Sequence, residues 1–371
     1  MSAAPRRHAL LVPDMPTRQE LAPYLERIDA ARWYSNFGPL VRELEARLAA
    51  LLPAPAGVAT RVATVANATL GLELALLSLG LPPGARVLVP ALTFVASAAS
   101  IVRAGLAPVI CDVDPASWML TPGIARPLVA RHGVAAVMPV STFGCPQDPG
   151  DWDRFAAEAG VPVVIDAAGA YGNQAVAARA LTVFSMHATK TFAAGEGGFV
   201  AGGDAGRIEQ VRSLTNFGIV PGGLVNVPGT NAKLSEYHAA AGLAALDGWD
   251  ARRRRRLEVH RRYLERLARD CPGVRLQARP PEGVYAILPV LLPEGRDAGA
   301  VAEALAARGV ETRRWYCPTL ERHPAFAGCA IAGELAVARA LNGRLLALPF
   351  HAFMGEAEVA EVCGALAAAL A

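Results

Sequence analysis

Three polar residues stand directly after apolar, strand-like runs, and each could do chemistry. The segment F-S-M-H-A-T-K-T-F-A-A-G-E-G-G (184–198) closes a β-rich run at Ser185 and then carries Lys190 into a glycine-rich turn. Lys190 is the only lysine among the first 232 residues of a chain that otherwise uses arginine. An arginine cannot give up its proton and form a Schiff base, whereas a lysine can. In V-P-V-V-I-D-A-A-G-A-Y-G, Asp166 follows a wholly apolar strand. A carboxylate there needs a partner, either a helix N-terminus or a protonated ring nitrogen. In A-N-A-T-L-G-L, Ala68 and Thr69 open a helix whose free amides can hold a phosphate. In P-A-L-T-F-V-A-S, Phe94 follows another strand, as plain core or as a face for a planar ring.

The elements that must position these residues alternate. Strands are expected at 61–66, 86–89, 108–111, 134–140, 161–165, 181–185 and 198–201, with helices at 68–81, 94–103 and 151–159 between them. Asn67 reads as a helix cap. Repeated β-α-β order with fully apolar strands predicts an α/β fold, a mostly parallel sheet covered on both faces. Ligands of such sheets bind at the C-terminal strand ends, where these residues stand. Ahead of the sheet, Leu21 to Leu52 is helical, with Pro39 at a first helical position and Leu40, Leu44 and Leu48 on one face. From Ser235 a helical pattern runs for about 35 residues. It includes Arg252 to Arg256, read as a solvated, salt-bridged surface rather than an anion site. Strands at 285–292 and 310–316 and helices at 297–308 and 356–370 predict a small α+β domain. The expected division is 1–250, a large domain with an N-terminal helical segment, and 251–371, a small one.

With 371 residues, 53% of them hydrophobic, the chain can bury a sizeable core, and global disorder is excluded. A net charge of +3 argues against a nucleic-acid or polybasic membrane partner. Apolar runs are too often interrupted for a membrane span, and no signal peptide is read at the N-terminus. Six scattered cysteines without a C-x-x-C pair imply reduced thiols in a cytoplasmic protein. No P-loop, G-x-G-x-x-G, H-E-x-x-H or G-x-S-x-G occurs, and no metal set is expected. A phosphate cradle, an aromatic face, a carboxylate and a Schiff-base lysine together are the equipment for pyridoxal 5′-phosphate (PLP).

At this point the chain resembles a known family, the DegT/DnrJ/EryC1/StrS aminotransferases, sugar aminotransferases of the fold type I PLP class. The resemblance is carried in order by Y-S-N-F-G-P-L, N-A-T-L-G-L-E-L-A-L, P-A-L-T-F-V-A-S, D-V-D, V-I-D-A-A, F-S-M-H-A-T-K, G-E-G-G, N-F-G, G-T-N-A-K-L-S-E and R-R-W-Y-C-P. It implies a large domain with a seven-stranded sheet and a homodimer with shared active sites. It implies that Lys190 binds the cofactor and then moves the proton, and that Asp166 pairs with the pyridinium nitrogen. Phe94 would stack on the ring. Ala68, Thr69 and Ser185 would hold the phosphate, joined by Asn231 from the neighbouring subunit. Tyr34, Asn36, His187, Phe217, Arg314 and Tyr316 become substrate-pocket residues.

One departure is Gly169, where many members carry glutamine or glutamate near the cofactor hydroxyl. The implied reaction moves an amino group from an amino acid, with glutamate expected, to a keto group of a nucleotide-linked deoxysugar. Alternatives are a non-nucleotide ketone or aldehyde such as an aminocyclitol precursor, a dehydratase, and a PLP-binding regulator without turnover. Members of the dehydratase type carry histidine in place of Lys190.

Overall fold

The computed structural model describes residues 8–371. Two helices lead into the fold, α1 (Arg18–Ala31) and α2 (Pro39–Leu51). Pro39 begins α2 as expected, and Leu40, Leu44 and Leu48 are buried on its inner face. The carboxylate that caps α2 comes from far along the chain: Glu236 accepts from the amides of Leu40 (2.8 Å) and Val41 (2.9 Å). No local pattern marks such a cap.

Strands and helices then alternate: β1 (Arg61–Val65), α3 (Ala68–Leu77), β2 (Arg86–Pro90), α4 (Val95–Arg103), β3 (Ala107–Cys111), α5 (Pro122–His132), β4 (Val134–Val137), α6 (Pro149–Ala159), β5 (Val164–Asp166), β6 (Leu181–Ser185) and β7 (Gly198–Gly202). Hydrogen bonding orders them β1-β7-β6-β5 and β4-β2-β3, and the bridges Val137–Val163 and Val140–Asp166 join the two halves. The result is a seven-stranded sheet in which β7 alone runs antiparallel to its neighbours. Alternate side chains feed two cores. Phe184 and Phe199 enter one with the α2 leucines, and Val183 and Val200 enter the other with Leu72 and Leu74 of α3. This two-faced burial explains the unbroken apolar strands.

The remaining elements are α7 (Ala205–Thr215), α8 (Glu236–Asp247), α9 (Trp249–Asp270), β8 (Arg275–Leu276), β9 (Leu288–Leu291), α10 (Ala298–Ala306), β10 (Ala330–Ala332), α11 (Ala336–Arg344), β11 (Leu345–Leu348) and α12 (Glu356–Leu370). A small sheet, β11-β9-β8, packs with α9, α10 and α12 around a third core built from residues beyond 250. The short β10 pairs in parallel with β3, adding an eighth strand to the large sheet.

Three expectations change. The helical run after Ser235 is two helices, broken at Gly248, where a side chain would strike the Arg252 guanidinium. The arginine run is not uniformly solvated. Arg253 and Arg254 are exposed, but Arg252 and Arg256 are buried. Arg252 forks onto both oxygens of Glu20 (2.9 Å each), and Arg255 bonds Asp14 (2.8 Å), which ties the N-terminal segment to α9. The expected strand at 310–316 is reduced to single bridges, Val310 to His8 and Arg313 to Ala347. The chain leaves strand geometry at Tyr316, whose φ is 49°. All six cysteines are unpaired. Among the described residues no helix is long and apolar enough to cross a membrane.

Candidate active site

A cavity of about 900 Å³ opens at the C-terminal ends of β5 and β6. Asp166 ends β5 and is buried. Its Oδ2 accepts from Ser97 Oγ on α4 (2.7 Å) and its Oδ1 from the Ala168 amide (3.1 Å). Ser97 Oγ lies 2.8 Å from Thr93 Oγ1. Burial pushes the Asp166 carboxyl above its usual range, opposed by Ser97, the Ala168 amide and the charge of Lys190.

Lys190 lies on the loop after β6. That loop is folded tightly: Lys190 N donates to His187 O, Ala188 N to Gly195 O and Met186 N to Gly197 O, each at 2.9 Å. Burial lowers the Lys190 amine below its ordinary range, and Asp166 acts against this. Neither side chain has an ion-pairing partner within 4 Å among the described residues.

The glycine-rich turn has a steric purpose. Gly197 has φ 131°, a left-handed conformation in which a side chain would also strike Met186. A Cβ on Gly198 would come within 2.7 Å of Phe184 O and 2.8 Å of Ala68 N. β7 can therefore lie against the start of α3 only without a side chain there. At that start, Asn67 caps as expected by accepting from Leu70 N (3.0 Å). The Ala68 and Thr69 amides face the cavity without a partner among the described residues. Ser185 Oγ accepts from His187 N (3.2 Å), which leaves its own proton to donate.

The structure brings Ala68, Thr69, Phe94, Asp166, Ser185, His187, Lys190 and Tyr316 to this one cavity. Phe94 caps the start of α4 and is 53% exposed, so it is not plain core. Tyr316 stands 6.2 Å from the Phe94 ring and stacks on Phe143 at 4.8 Å. His187 bonds Thr189 Oγ1 through Nδ1 (2.9 Å) and faces Glu196 across 3.8 Å.

Five of the expected residues lie elsewhere in the chain. Arg314 turns away and donates to Asn342 O, while its neighbour Arg313 lines the cavity with its guanidinium 4.1 Å over Trp315. Tyr34 stacks on Tyr237 at 6.2 Å on the outer surface. Asn36 and Phe217 adopt left-handed φ of 58° and 61°, and exposed Asn231 bridges to Asn216.

Sequence reasoning missed Ser97 and Thr93, although two hydroxyls four residues apart in an apolar helix start were visible. It also missed the Glu73–Arg103 ion pair (2.8 Å) in the cavity wall, which no local motif marks. Gly169 is not imposed by space, since a Cβ there would meet Gly144 N at an ordinary 3.6 Å.

These features fit PLP. A buried carboxylate without a cation suits a protonated ring nitrogen, unpaired amides at a helix start with the Ser185 hydroxyl suit a phosphate, and a lowered amine suits an aldehyde. Comparison with known proteins agrees. Residues 16–367 match the DegT/DnrJ/EryC1/StrS aminotransferase family. The chain belongs to that family. It is a PLP-dependent aminotransferase of fold type I.

Among solved structures, this aminotransferase is similar to DesI, determined in the presence of its TDP-sugar product, with 34% identity, a TM-score of 0.88 and coverage of 100% of this chain and 95% of that one. It is similar to a PLP-dependent aminotransferase structure from Bacillus cereus, with 27% identity, a TM-score of 0.89 and coverage of 96% and 98%. Among curated proteins it is 29% identical over 351 residues to dTDP-4-amino-4,6-dideoxy-D-glucose transaminase of Shigella dysenteriae, covering 92% of this chain and 93% of the relative.

Proposed function

We propose that this aminotransferase moves an amino group from L-glutamate to the keto group of a nucleotide-linked deoxysugar such as a dTDP-4-keto-6-deoxyhexose. The observation that carries this reading is the convergence of Lys190, Asp166 and the unpaired amides of Ala68 and Thr69 in one cavity of about 900 Å³. That volume is near the upper end for small-molecule sites, with room for a substrate beside the cofactor. The likeness to DesI, solved with a TDP-sugar product, supports the sugar.

PLP, when bound, supplies an aldehyde that condenses with amines and a ring that accepts electrons. The chain's residues do the rest. The Ala68 and Thr69 amides and the Ser185 hydroxyl would hold the phosphate. Phe94 would stack on the ring, and Asp166 would accept from the ring N–H. Lys190 Nζ, its basicity lowered by burial, takes the α-proton of the donor and returns a proton to the carbon that becomes aminated. Arg313, fixed over Trp315, stands where an anionic part of a substrate can be met.

We further propose a homodimer in which Asn231, Tyr34, Asn36 and Phe217 complete the partner's site, a division of the chain near residue 250, and a cytoplasmic location. Exposed Trp33, Tyr34, Phe217, Leu224, Val225 and Tyr237 support the dimer as an apolar surface that needs covering. The unpaired cysteines support a reducing compartment.

The deciding experiment is an absorbance scan of the purified, PLP-loaded protein before and after adding L-glutamate. Loss of the yellow colour, and its return on adding a keto sugar, is the expected result. A spectrum unchanged by glutamate would exclude that donor. Colour lost to glutamate but restored only by a keto compound without a nucleotide would overturn the acceptor.

A further inference from the structure

The carboxylate of Asp166 is not held by the cofactor pocket alone. Its Oδ2 lies 2.7 Å from Ser97 Oγ, and Ser97 Oγ lies 2.8 Å from Thr93 Oγ1. All three side chains are buried, Ser97 completely. An ionised carboxylate only accepts, so Ser97 gives its single proton to Asp166. Ser97 must then accept from Thr93, which sets the direction of the chain of hydrogen bonds from Thr93 through Ser97 to Asp166. On the other side, the Ala168 amide holds Oδ1 (3.1 Å). Two donors from different elements thus fix the plane of the carboxyl group. The same helix start also carries Phe94, whose carbonyl accepts from Ser97 N (3.1 Å). The ring-facing aromatic and the clamp on the carboxylate are three residues apart on one rigid turn.

We propose that Ser97, backed by Thr93, is a positioning residue that fixes the rotamer of Asp166 and keeps its charge directed at the ring nitrogen of PLP. This rests on the reading of Asp166 as the partner of that nitrogen. Without the Ser97 proton, only the Ala168 amide and the more distant charge of Lys190 oppose the desolvation of a buried carboxylate. The group then rotates or takes up a proton, and in both cases the ring nitrogen loses its counter-charge.

The test reconstitutes wild type, Ser97→Ala, Ser97→Thr and Thr93→Val with PLP labelled with ¹⁵N at the ring nitrogen. It reads the ¹⁵N shift across neutral pH and the PLP Kd from titration of each apoenzyme. The expected result is a pyridinium shift in wild type and Ser97→Thr, and a shift toward neutral pyridine in Ser97→Ala with PLP bound about tenfold more weakly. Thr93→Val should fall between. A Ser97→Ala protein with the wild-type shift and a Kd within about twofold of wild type overturns the proposal. If Ser97→Ala does not fold, Thr93→Val decides by the same two readouts. A neutral ring in wild type would instead overturn the reading of Asp166 itself.

Discussion

An amine and a carboxylate share one cavity, and both are changed by leaving water. Burial weakens the hold of Lys190 on its proton and strengthens that of Asp166, while each charge acts against the shift of the other. Lys190→Ala should therefore reduce turnover about a thousandfold or more, since among the described residues no other amine stands in the cavity wall. Steady-state assays with glutamate and the keto sugar check this. Asp166→Asn preserves shape but not charge. It should lower kcat about a hundredfold or more while PLP content, measured after alkaline release, stays near stoichiometric. These two residues were legible because each breaks a local rule, a lysine in an arginine-using chain and an acid after an apolar strand. Arg314 points to Asn342 O while Arg313, Trp315 and Tyr316 of the same stretch line the cavity, a difference in side-chain direction that residue types alone do not mark.

At the scale of elements, the cofactor cradle depends on how closely β7 approaches the start of α3. Gly198→Ala places a Cβ 2.8 Å from Ala68 N, so the helix start must shift and the two free amides move with it. PLP should bind the apoenzyme at least about tenfold more weakly. Gly343→Ala is the control. It lies in α11 with nothing within 4 Å of an added Cβ, so it should leave PLP binding unchanged and stabilise by about 0.5–1 kcal/mol in urea. Strands buried on both faces, and helices with a local start signal, Pro39 in α2 and the Asn67 cap in α3, were readable because those signals are local. α5 was not, since Pro127 inside it reads as a breaker. α7 offers only Ile208, Val211 and Leu214 as a sparse apolar line. The two-residue β8 and three-residue β10 are strands only because a neighbour is there to pair with.

For the whole molecule, a buried basic group behind the cavity predicts acid sensitivity. Arg279 donates to Phe143 O (3.4 Å) and Ile287 O (3.2 Å), both cavity-wall residues, and its Nη2 lies 3.3 Å from His260 Nε2. His260 is buried, and burial followed by the Arg279 charge lowers its pKa to about 4. The unfolded chain takes up a proton at this residue near its usual value of about 6.5, which the folded chain does not until about 4. Stability from this group is therefore complete above about pH 6.5 and is lost as pH falls toward 4, by at most about 1.4 kcal/mol per pH unit. Urea titrations at several pH values should show a shallower acid loss in His260→Gln than in wild type. An unchanged slope would assign the acid loss to other groups. The proposed dimer belongs to this scale too. Leu224→Asp should shift sedimentation toward monomer and lower activity with it, because the exposed apolar surface then carries a charge.

The segment from His8 to Asp14 joins the beginning of the chain to its end. His8 pairs with Val310, Leu10 N donates to Glu311 (2.8 Å), Phe350 N donates to Leu10 O (2.9 Å), and Leu11 lines the cavity. During synthesis, Leu10 is made 301 residues before its partner Glu311. The large sheet can assemble during translation, but the cavity wall closes only after position 350 has left the exit tunnel. A chain that stops before position 350 lacks the donor that holds Leu10, and the side of the cavity beside Leu11 is left unsealed.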